Sequence, residues 1–102
     1  MLYRIATYAM PDAARDEFLA QSRIAQDLVR TQPGYMGDQW LEKVSGPGSV
    51  NIITIAKWRD AESVVAAGKA LGAHQAQSGF DPDAFAAQYG IVKSVAVFEE
   101  RA

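Results

Sequence analysis

Residues 50–58, Val50-Asn51-Ile52-Ile53-Thr54-Ile55-Ala56-Lys57-Trp58, are the most strand-like stretch of the chain. β-branched and aromatic side chains dominate it, and no Gly or Pro interrupts it. Just before it, Ser45-Gly46-Pro47-Gly48-Ser49 is a turn cluster of the kind that joins antiparallel strands. Tyr35–Val44, with Tyr35, Trp40 and Leu41 as its large residues, therefore reads as the hairpin partner. Just after it, Asp60 is placed to cap a helix from Ala61 to Gln77 with an inward stripe of Val64, Ala67/Gly68, Leu71 and Gln75. Gly68 and Gly72 each weaken that helix by roughly 1 kcal/mol relative to Ala, so a kink or close packing is expected there.

On the N-terminal side, Leu2–Met10 reads as a strand, stopped by Pro11-Asp12. Asp12 is the expected N-cap of a helix over Ala13–Thr31. Ala14, Phe18, Ser22, Ala25 and Val29 form its inward stripe, with Leu28 and Gln21 at the margin. Asp16, Ala20, Arg23, Asp27 and Arg30 fall on the outer face, and Gln32-Pro33-Gly34 ends the helix. On the C-terminal side, Asp81-Pro82-Asp83 starts a short helix that Tyr89-Gly90 closes, and Ile91–Glu99 is the last strand. The aspartates there are read as helix capping, not as metal ligands. The order is β-α-β-β-α-(short α)-β, the α+β ferredoxin-like arrangement, with a four-stranded antiparallel sheet and helices on one face.

The chain has 102 residues, the length of one domain spanning 1–102. Hydrophobic residues at 49% and charged residues at 22% exclude bulk disorder. No apolar run is long enough to span a bilayer, and no secretory leader pattern is visible in the first ten residues. A net charge of −2 argues against a nucleic-acid binder. With no cysteine there is no disulfide, zinc ribbon or thiol nucleophile, and a cytoplasmic location is expected.

A sheet covered on one side only should alternate apolar and polar residues. The third strand does not: Ile52, Thr54, Ala56 and Trp58 share one face, while Ile53 and Ile55 share the other. The last strand repeats this, with Ile91, Val95 and Val97 against Val92, Ala96 and Phe98. Two helices cannot cover both faces, so a homodimer through the sheet face opposite the helices is expected, with Val95 and Val97 as candidate interface positions.

The element order, Gln32-Pro33-Gly34-Tyr35, and Ala56-Lys57-Trp58-Arg59-Asp60-Ala61-Glu62 together resemble the antibiotic biosynthesis monooxygenase family, from about Leu2 to Phe98. The resemblance implies a dimeric α+β barrel with a pocket between helices and sheet in each subunit. Some members oxidise quinols or polyketide phenols with dioxygen and without metal or flavin; others bind and degrade haem. It implies here a cofactor-independent monooxygenase of a small aromatic substrate, with no cofactor and no metal site. That suits a chain with no cysteine and one histidine. A ligand-binding or regulatory dimer on the same scaffold, and a haem-binding relative, are the alternatives.

Three catalytic candidates follow from the resemblance. Trp58 carries a donor-only indole N–H suited to a substrate oxygen, or else is a core tryptophan closing the barrel. Thr54 stands where quinol-oxidising members place an amide four residues before that Trp, and its hydroxyl donates one bond where an amide donates two. His74 lies on the second long helix, as an acid–base or ligand group or as a partly exposed histidine near a helix end. The first strand lacks the Asn that haem-degrading members use. Tyr8, Tyr35, Phe85 and Tyr89 are candidates to line the substrate pocket, or aromatic core.

Overall fold

The structure, a computed structural model, describes residues 1–101. Strand β1 (Leu2–Ala9) leads through a 3-10 turn at Asp12–Ala14 into helix α1 (Arg15–Val29). Strands β2 (Tyr35–Glu42) and β3 (Ile52–Trp58) form the hairpin, and α2 (Ala61–Ser78), α3 (Pro82–Tyr89) and β4 (Val92–Glu99) follow. The sheet is antiparallel throughout in the order β2-β3-β1-β4, the ferredoxin-like α+β fold.

The caps show what local chemistry decides. The Asp60 carboxylate accepts from the Ser63 backbone N–H at 2.8 Å, and the Asp81 carboxylate accepts from Asp83 and Ala84. Asp12 does not cap α1. Pro11 occupies the cap position of the 3-10 turn, the Ala14 N–H donates to the Pro11 carbonyl at 3.0 Å, and α1 starts only at Arg15. β3 starts at Ile52 and not at Val50, because the Asn51 side-chain amide bonds both the N–H and the carbonyl of Met10. Neither a kink nor close packing accounts for Gly68 and Gly72: α2 is continuous, and a Cβ at either position would meet nothing within 4 Å.

Register fixes the two faces. Tyr8 opposes Ile52, Ala6 opposes Thr54, Arg4 opposes Ala56, and Trp40 opposes Thr54 from the other side. Tyr8, Trp40 and Ile52 pack into the cluster formed with Phe18 of α1 and Phe85 of α3, so this face lies beneath the helices. Residues paired with Arg4, Ala6 and Tyr8 on β4 are Val97, Val95 and Lys93. Val95 and Val97 therefore belong to the helix side, which corrects their assignment as interface positions. With both faces apolar, sequence alternation does not tell which parity faces the helices. The uncovered face carries Ile5, Ile53, Ile55, Leu41, Ala96 and Phe98, with Phe98 53% exposed.

Candidate functional site

A cavity of about 280 Å³ lies between the sheet and all three helices. Its floor is Arg4 and Tyr8 of β1, Ala56 of β3 and Val95 of β4. α1 lays Phe18, Ser22, Ala25 and Val29 over it at helical spacing, and the small Ser22 and Ala25 in mid-stripe leave the space that larger side chains would fill. Aromatic rings crowd one end, where Tyr8 stands edge-on to Phe18 with centroids 4.8 Å apart and Phe85 lies 5.7 Å from Phe80.

Beside the Tyr8 and Ser22 hydroxyls, the uncharged polar groups in this wall are amides. Gln21, Gln26 and Gln75 bring three side-chain amides from the helices, and among the described residues none makes a side-chain hydrogen bond. No Asp or Glu lines the cavity, whereas Arg4 and Lys93 do. Lys93 is neutralised by Asp83 at 2.9 Å; Arg4 has no ion-pair partner among the described residues.

Of the residues singled out in the sequence, Tyr8 and Phe85 line this cavity. Tyr89 packs on Phe85 at 5.0 Å behind it and donates its hydroxyl to Glu17 at 3.3 Å. His74 is half-buried in a neighbouring crevice of about 310 Å³ between α1 and α2, which shares Gln21, Ala25, Leu71, Gln75 and Phe80 with the cavity. Thr54 sits on the helix face between Ala6 and Trp40 and does not reach the lining. Trp58 is 2% exposed, also outside the lining, and its indole N–H meets no acceptor, as is true of Trp40.

Trp58 is instead part of a corner. It opposes Tyr35 in register, and the Arg59 N–H donates to the Gly34 carbonyl at 2.9 Å. Gly34 has φ +84°, and a Cβ there would collide with the Ser63 side chain. The Tyr35 hydroxyl donates to Asp38 at 2.6 Å, and Arg30 forks onto the same carboxylate at 3.1 and 3.2 Å. The Arg30 guanidinium holds the Asp38 carboxyl below its usual range, while burial and the neighbouring Asp38 push the Tyr35 phenol up.

Arg4 and the three glutamines escaped the sequence reading. Polarity in an apolar stripe was the one signal for three of them, with Gln75 within that of α2, Gln21 at the margin of that of α1, and Arg4 in step with Leu2, Ala6 and Tyr8; Gln26 lies in neither stripe.

The cavity between the ferredoxin-like sheet and its helices has the concave, largely apolar character of a small-molecule site. The antibiotic biosynthesis monooxygenase profile matches residues 1–79, and the chain belongs to that family. No curated protein matches the sequence. Among solved structures, a variant of MhuD with two manganese protoporphyrin IX molecules bound per active site superposes with a TM-score of 0.72 at 20% identity, covering 98% of this chain and 94% of that one. A variant of SnoaB, a cofactor-independent oxygenase from Streptomyces nogalater, gives 0.68 at 21% identity over 99% and 93%. An EthD family protein from Bacillus halodurans gives 0.67 at 20% identity over 99% of both. At these identities the likeness is one of fold. No helix among the described residues is long and apolar enough to cross a membrane.

Proposed function

We propose that this chain is a cofactor-independent monooxygenase acting on a small aromatic substrate held between helices and sheet. The observation that carries the reading is the cavity itself, with aromatic rings at one end and three unengaged amide side chains along its wall. In such chemistry the substrate is its own reductant. An activated ring CH2 gives up a proton to water at the open side, and the carbanion passes an electron to dioxygen. The radicals combine to a peroxide, and loss of water leaves a carbonyl. In sum CH2 and O2 become C=O and H2O, with no electron required from elsewhere.

The protein's part is to orient the substrate and to hold the oxyanion conjugated with that carbanion. Gln21, Gln26 and Gln75 supply donor N–H groups for that oxygen, the service a single strand amide performs in quinol-oxidising relatives and Thr54 cannot match. This moves the donors from the strand to the helices and leaves Trp58 to the corner.

The protein acts as a homodimer in this reading, closed through the uncovered sheet face. Ile5, Ile53, Ile55, Leu41 and Phe98 make that face too apolar to stay in water comfortably.

One observation favours a second reading, a ligand-binding protein without turnover: no carboxylate or imidazole lines the cavity to take the substrate proton. A haem fits less well than either, since the single imidazole, His74, opens on the outer crevice and not on the cavity.

One experiment separates the three. Metal-free protein in the presence of chelator should consume dioxygen slowly with a hydroxyanthrone, whose ring carries the activated CH2, and Gln75→Leu should reduce the rate. Aromatic binding with no uptake above the buffer rate gives the second reading. A Soret band on haemin titration that His74→Ala abolishes gives the third and ends the first.

A further inference from the structure

The chain has twelve acidic residues against ten basic, yet not one carboxylate lines the cavity and two cations do. With Lys93 held by Asp83, the charge left over is Arg4. In its own row the carboxylate is Asp38, two strands away across Ala56 and engaged by Arg30 and Tyr35. On β4 it is Glu99, one pair further along the same face, which lies 3.9 Å from Arg101 instead. Arg4 is exposed, so the protein alone carries this charge in water without penalty. A ligand that fills the cavity covers the guanidinium, and covering it without a counter-charge strands a desolvated cation.

The geometry also sets a length. Arg4 and Tyr8 stand on one face of β1, four residues apart, or about 13 Å at the strand rise. The rings cluster at the Tyr8 end, with Phe18 and Phe85, while Ala56, Val95, Ala25 and Val29 make the rest of the wall towards Arg4 aliphatic. We propose that the cavity takes an aromatic carboxylate, its ring among Tyr8, Phe18 and Phe85 and its carboxylate on Arg4. This rests on the reading of the cavity as the substrate site, and it narrows the substrate from any small aromatic to an acidic one. Arg4 is then a specificity-determining group, placed away from the carbon that reacts.

Calorimetric titration with 2-naphthaleneacetate and with its methyl ester tests this on the full chain. The acid should bind more tightly than the ester by about tenfold or more, the scale of one charge-assisted bidentate pair. Arg4→Gln should remove that preference and leave ester binding unchanged, and Arg4→Lys should restore part of it. Arg23→Gln, which makes the same change of charge on the outer face of α1, should do nothing. Equal binding of acid and ester, or a preference that survives Arg4→Gln, overturns the assignment of Arg4 while leaving the cavity as an aromatic site. Binding of neither compound, with no perturbation of the Phe85 ring resonances, overturns both.

Discussion

The Tyr35 and Trp58 rings meet edge to face, their centroids 5.8 Å apart and their planes at 73°. Each comes from one of the two short motifs by which the family resemblance is read. The contact shows what joins them: the chain enters β2 just where it leaves β3 for α2. Trp58 closes that corner from inside, and the Gly34 carbonyl and the Ser63 side chain close it from outside.

Trp58→Phe should therefore lower stability, by about 1–3 kcal/mol for the lost volume, offset in part because an unpartnered N–H leaves with it. Turnover per folded molecule should stay within a few-fold. Denaturant melts and dioxygen uptake on the same preparations check this. A hundredfold loss of rate at unchanged stability would return the oxyanion to Trp58.

Gly34→Ala should cost more than about 1 kcal/mol from the left-handed backbone alone, and more again from the collision with Ser63. Ser63→Gly in the same chain should recover the second part and not the first. A double-mutant cycle on thermal melts gives the two contributions.

Stability should decline in acid. Asp38, held below its usual range by Arg30, lends stability that is complete above the unfolded carboxyl value of about 4 and is lost as pH falls through the lower folded value. Glu42 beside Arg15 and Asp60 beneath Ser63 are shifted in the same direction and add to the same limb. Asp38→Asn should melt earlier at neutral pH and show a shallower decline below pH ~4. Melting temperatures between neutral and pH ~3 measure both effects.

Phe98→Asp, on the uncovered face, should halve the sedimenting mass, and the interface lost should exceed about 1,000 Å². Val95→Asp, which points under the helices, should instead weaken aromatic binding and spare assembly. A folded, stable monomer of the unsubstituted protein at micromolar concentration would end the dimer proposal.

Gly68→Ala and Gly72→Ala should each raise stability by roughly 0.5–1 kcal/mol, since both glycines are exposed in mid-helix with open space around the missing Cβ. Urea midpoints would show it. A loss at either would point to a contact made only in the assembled protein.

Element order was legible because periodicity and capping are local. Val64, Ala67 and Leu71 repeat at helical spacing whatever surrounds them, and Asp60 and Asp81 cap by chemistry that needs only three neighbouring residues. Asp12 misled for the same reason, since the helix it would cap is preceded by a Pro11 turn that takes its place. The site was less legible because it depends on register. Whether Arg4 meets water or a cavity, and whether Val95 meets a partner or a ligand, turns on which parity of each strand faces the helices. Two strands apolar on both faces withhold that.

In β4 all eight residues are exposed in the isolated chain, and the strand is held along one edge only, by β1. Lys93 and Val95 point inward while Val92, Ala96 and Phe98 point outward, so one strand is wall to the cavity on one side and, in the proposed dimer, seat for a second subunit on the other. In that dimer a bound molecule and a docked subunit would hold the same edge strand from opposite sides. Each spares the other part of the ordering cost, and by reciprocity occupancy must tighten assembly by the same factor as assembly tightens occupancy.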